Sequence, residues 1–257
     1  MRSEIGKKVV CIRLLMAVLI AVLSGCGGGS SDSDTSEPPP SQNVDGIWQG
    51  TTTDGTGTCK LYMINSIGEM VAFSSDCQAV YKGSYTVDVS NLSAQVEVYD
   101  IGGAKKGSTT LSGTCSEQST MNGSYTTSDG RGGTFDLTYN QATGRPSSLE
   151  QVEGTWAYND SNGFSADFVI DNQGKLSGAN SYGCNITGVI SLLNTKKNIY
   201  SIDLDITQCT AQGGVYDQDG SFDGLAVLGT DAATKKDMLI IVSASANNSL
   251  LYPISRQ

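Results

Sequence analysis

Not one of the 257 residues is histidine. That absence removes Ser-His-Asp and Cys-His catalytic arrangements, His-ligated zinc and His-ligated haem together. The chain also has no Gly-x-Ser-x-Gly elbow, no glycine-rich phosphate loop leading into Lys-Ser/Thr, and no Cys-x-x-Cys pair. Two carboxylates could still perform acid–base hydrolysis, but no pair stands out among 26 scattered acidic residues. The chain is therefore expected not to be an enzyme and to need no cofactor. Positive charge is scarce as well: 16 Lys and Arg leave a net charge of −10, and loss of the first 25 residues makes it −13. Such a chain is not drawn to nucleic acid or anionic headgroups.

Long apolar runs are confined to the amino end. Arg2, Lys7, Lys8 and Arg13 precede an apolar stretch over residues 14–23, which is too short for a permanent transmembrane helix and reads as a signal peptide. It ends in Leu23-Ser24-Gly25-Cys26, which resembles the lipobox of bacterial lipoproteins. That resemblance implies cleavage after residue 25 and acylation of Cys26, enough for stable attachment to a membrane. Gly27 stands where an aspartate would favour retention at the inner membrane, so the resemblance implies an outer-membrane address, on the periplasmic face or the cell surface. Residues 26–42, rich in Gly, Ser, Asp and Pro, read as a flexible tether.

The remainder divides by an internal repeat. Asp45-Gly46-Ile47-Trp48 recurs as Glu153-Gly154-Thr155-Trp156, and these are the only two tryptophans. A turn glycine follows each tryptophan, Gly68 after 20 residues and Gly174 after 18, and a cysteine follows each glycine, Cys77 after 9 and Cys184 after 10. Three coincidences in register argue for two copies of one module, over residues 43–144 and 145–257. Residues 92–98 and 200–206 alternate apolar and polar, as half-buried strands do. No comparable window carries a 3.6-residue apolar stripe. Counting runs gives about eight strands per module, so an all-β fold of two antiparallel barrels or compact sandwiches is expected.

The cysteines fit an oxidising compartment. The turn at residues 195–198 lies midway between Cys184 and Cys209, which predicts a disulfide across a hairpin. In the first module Cys77 can pair with Cys59, across the turn at Ile67-Gly68, or, by equivalence of the repeats, with Cys115. The cysteine left over is expected to be buried. Asp217, Asp219 and Asp223, with Gly220 between them, make a weak calcium candidate that lacks the closing glutamate of an EF-hand loop. Asp219-Gly220 is equally a hairpin turn, with Asp129-Gly130 as its expected counterpart in the first module.

Gly46-Ile47-Trp48 and Gly154-Thr155-Trp156 on the first strand of an eight-stranded meander resemble the calycin or lipocalin-like superfamily. The second module's Gly-Thr-Trp, Gly183-Cys184 and Asn198-Ile199-Tyr200 also look like the tandem β-modules of uncharacterised proteobacterial lipoproteins. What these resemblances imply is architecture and address. The expected function is a non-catalytic interaction or structural module meeting an envelope protein or glycan. The alternative is a carrier holding a small apolar ligand among residues such as Tyr200, Ile202, Leu204 and Ile206, and a carboxylate hydrolase ranks third. Cavity volume separates the first two readings.

Overall fold

A computed structural model of the protein describes residues 39–160, 163–210 and 219–257. The first eight strands are β1 (Gly46–Thr53), β2 (Thr58–Ser66), β3 (Glu69–Ser74), β4 (Ala79–Asp88), β5 (Asn91–Asp100), β6 (Lys105–Cys115), β7 (Thr120–Thr127) and β8 (Gly132–Tyr139). The second eight are β9 (Gly154–Asn159), β10 (Ser165–Ile170), β11 (Lys175–Asn180), β12 (Asn185–Leu192), β13 (Tyr200–Thr207), β14 (Gly220–Thr230), β15 (Asp237–Ala244) and β16 (Ser249–Arg256). Each set is an up-and-down antiparallel meander closed into a barrel, β1 pairing with β8 and β9 with β16. Closure removes the exposed edges that an open sheet would have to protect.

Both barrels are stoppered at the same end by the same device. Trp48 and Trp156 are fully buried, and each donates its indole N–H to the carbonyl four residues back, Val44 at 2.9 Å and Val152 at 2.8 Å. The residue opposite on the closing strand differs. Tyr139 sits edge-on to Trp48 at 5.3 Å, whereas the Arg256 guanidinium lies 4.4 Å from the Trp156 ring. The one piece of α-helix among the described residues, α1 (Leu149–Val152), places Val152 for this contact; as a single turn it is too short to carry an apolar stripe. Ser148 and Gln151 form its capping box.

Turn chemistry follows the repeat. Ile67 and Gly68 both have positive φ, as a two-residue hairpin with right-handed strand twist requires, and Gly174 takes a φ of +81° in the equivalent β10–β11 turn. A second pair of glycines sits where the facing strand comes close. Gly83 faces Val96 and Gly188 faces Leu204, and a Cβ on either would run into the facing strand's Gln95 or Asp203 carbonyl. The expected match between Asp129-Gly130 and Asp219-Gly220 does not hold. The first pair lies between β7 and β8, the last hairpin of its barrel, while the second opens β14, the sixth strand of the other. Gly220 there pairs with Ile206 instead of forming a tight turn.

The described residues from Pro39 onward form one compact unit, and the barrels meet through outward faces that are themselves apolar. Ile64, Val71 and Val80 of the first pack with Leu225, Val242 and Ala244 of the second. Around this layer Lys82 pairs with Asp223 at 2.5 Å and donates to the Ala244 carbonyl. Tyr99 donates its hydroxyl to the Ser245 carbonyl, and a β-bridge joins Ala104 to Asn248.

Candidate functional site

Inward positions of the two barrels can be matched level by level from strand register. Trp48 faces Met63 and Met63 faces Ala72; Trp156 faces Phe168 and Phe168 faces Gly178. Met63 and Phe168 are thus equivalent. Carrying the register around the wall sets Ala94 against Ile202, Val96 against Leu204, Thr109 against Phe222 and Gly123 against Ile241. At these levels the first barrel has the smaller side chain, whereas Ala72, Tyr81, Leu111 and Tyr125 are larger than their counterparts Gly178, Ile186, Gly224 and Ser243.

The result is a cavity of about 280 Å³ inside the first barrel, opening at the end away from Trp48. Its depth is apolar, formed by Leu61, Met63, Met70, Ala72 and Phe135, which are nearly or fully buried. Two methionines give it an adaptable wall. Toward the opening stand Thr109, Thr127 and the ring-bearing Tyr81 and Tyr125, and at the rim Asp54, Arg131 and the Cys59–Cys77 disulfide. Burial pushes the hydroxyls of Tyr81 and Tyr125 above the usual tyrosine range, with Tyr125 raising the first further and the Asp54 carboxylate the second. Both therefore stand as neutral O–H groups near pH 7.

In the second barrel, the same end carries aromatic rings. Phe164 stacks with Tyr252 at 6.1 Å, and Tyr252 lies 5.6 Å from Phe168. Tyr200, Ile202, Leu204 and Ile206, the residues anticipated as a ligand lining, are packed in that core with exposures of 0–2 %. The cavity lies in the other barrel, where their counterparts are smaller.

The disulfides are Cys59–Cys77 and Cys184–Cys209. Both tie the loop after the third strand to a neighbouring strand end at the mouth of its barrel. Cys115 ends β6 at the tryptophan end, so a pairing with Cys77 is out of reach; it is buried, and burial raises its thiol pKa. Of the calcium candidates, Asp217 lies outside the described residues. Asp219 accepts the Cys209 N–H at 3.1 Å and Asp223 is engaged by Lys82, so the two are committed to different partners. No cluster of three metal-ligating side chains occurs among the described residues. Cys26 and the tether likewise lie outside them up to residue 38.

Comparison with protein-family models, with curated proteins and with solved structures finds no match to this chain.

Proposed function

We propose that the chain is a carrier lipoprotein of the bacterial envelope, anchored through Cys26 at the outer membrane, whose first barrel holds a small, largely apolar molecule. The observation that carries this reading is the apolar cavity of about 280 Å³, close to the lower end of small-molecule sites. On the scale at which a 150 Å³ cavity accommodates benzene, it takes about eleven non-hydrogen atoms. Maintaining an apolar void forgoes packing energy that the second barrel collects, and ligand occupancy is a physical reason to maintain it. The second barrel, with aromatic rings at the same levels, serves as the rigid partner. That division keeps part of the interaction-module reading, since the second barrel's remaining outer surface stays available to an envelope protein or glycan.

Native mass spectrometry of the protein purified from its own envelope tests the proposal. A reproducible adduct of roughly 150–200 Da, the mass of about eleven non-hydrogen atoms, is expected, and its occupancy should fall in Thr109→Phe. A bare mass together with no uptake of any apolar probe would overturn the carrier reading. Palmitate labelling that is lost in Cys26→Ser tests the anchor separately.

A further inference from the structure

The charged groups at the cavity's opening are not balanced in sign. Of the cations near this end, Arg131 at the rim is paired with Asp129 at 2.8 Å, and Lys105 and Lys106, at the start of β6 and outside the lining, are paired with Glu97 at 3.1 Å and Asp100 at 2.7 Å, so each of these cations already faces an acid. Lys60 is exposed on the outward side of β2. Two further carboxylates, Asp54 and Asp76, stand at the same end without a cation among their hydrogen-bond partners. Asp54 accepts from the Thr56 N–H and hydroxyl and from the Gly57 N–H. Asp76 accepts from the Lys60 backbone N–H. Bonds from Thr56 hold Asp54 below the usual carboxylate range, and the Thr127 hydroxyl does the same for Asp129. The rim is thus net negative, and the polar groups just inside it are the hydroxyls of Tyr81, Tyr125, Thr109 and Thr127.

We propose that the molecule carried is an uncharged or cationic amphiphile, its apolar part against Met63 and Met70 and a hydroxyl- or amine-type head beside Tyr81 and Tyr125, and that carboxylates are rejected. A carboxylate head would lose water on entering and meet Asp54, while Lys60, the cation there outside an ion pair, stands on the outer face of β2. Hydroxyl heads find donors and acceptors in the tyrosine and threonine hydroxyls. This inference rests on the carrier reading.

The test uses the purified full chain with Cys26→Ser and three probes of one chain length: decan-1-ol, decan-1-amine and decanoate, titrated calorimetrically near pH 7.5. The alcohol and the amine are expected to bind, with decanoate weaker by roughly tenfold or more, the equivalent of ~1.4 kcal/mol. Asp54→Asn should narrow that gap. Decanoate binding as tightly as the alcohol would overturn the charge selection and leave the carrier reading intact. Failure of all three probes would overturn both.

Discussion

Thr109 and Phe222 occupy the same inward position on the sixth strand of their respective barrels, facing Val96 and Leu204. This one exchange accounts for part of the space in the first barrel. Thr109→Phe should therefore narrow the cavity and weaken uptake of decan-1-ol while holding or raising the melting temperature, because cavity filling commonly adds ~0.5–2 kcal/mol. Unweakened binding in a folded Thr109→Phe protein would show that ligands sit elsewhere. The reverse change, Phe222→Thr, opens a hole in a packed core and should cost about 3–5 kcal/mol by chemical denaturation.

Asn65 is fully buried and neither its amide nitrogen nor its oxygen has a protein hydrogen-bond partner. It faces Met70, as Ile170 faces Leu176 in the second barrel. Asn65→Ile copies the repeat's own solution and removes a buried polar group that costs about 1–3 kcal/mol when unpaired. A stability gain of about 1 kcal/mol or more is expected in urea unfolding, and a loss would show that the amide is satisfied in solution.

Much of this architecture was legible in the sequence because it is local. Alternation gave the strands, Ile67-Gly68 gave a hairpin, and the spacing between Cys184 and Cys209 gave their bridge. The tryptophans marked where each barrel begins. The cavity was not legible, since it depends on which residues share a level across eight strands, a property of register. Nor was the contact between barrels foreseen, although it left a trace. Met70-Val71-Ala72 and Leu239-Ile240-Ile241-Val242 are apolar at successive positions, the pattern of strands covered on both faces.

Leu225 and Val242 are fully buried between the barrels although both project from the outside of their own. The two barrels should therefore unfold together, in one calorimetric transition. Leu225→Asp places a carboxylate in that apolar layer and should split the transition in two or lower its midpoint by several degrees. Unchanged single-transition melting would show that the interface contributes little.

Tyr85 donates its hydroxyl to Asp45 Oδ1 at 2.5 Å, and burial, followed by the hydrogen bond to Asp45, raises its pKa strongly. The folded value lies above the unfolded value of about 10, so the stabilisation is complete below pH 10 and declines as pH rises beyond it. Stability should fall along the alkaline limb, and Tyr85→Phe should flatten that fall while costing stability at pH 7. Parallel alkaline slopes for the two proteins in a series of melts would contradict this assignment.

Cys115 offers its thiol to the Ser90 carbonyl at 3.4 Å, beneath the tryptophan end of the first barrel and away from both disulfides. Three outcomes follow from that separation. In the native full chain with Cys26→Ser, a thiol reagent should leave Cys115 untouched, since the thiolate is both disfavoured and shielded. Reduction should then release Cys59–Cys77 and Cys184–Cys209, whose sequence separations of 18 and 25 residues correspond to about 3 kcal/mol of unfolded-chain restriction apiece. Cys115→Ala, by contrast, should change stability by the small amount expected for trimming a buried sulfur and leave both bridges in place. Peptide mapping without reductant checks the pairing: recovery of Cys115 in a disulfide peptide with Cys77 would mean that the first barrel closes differently at its mouth, and with it that the rim groups around Asp54 do not stand where the ligand enters.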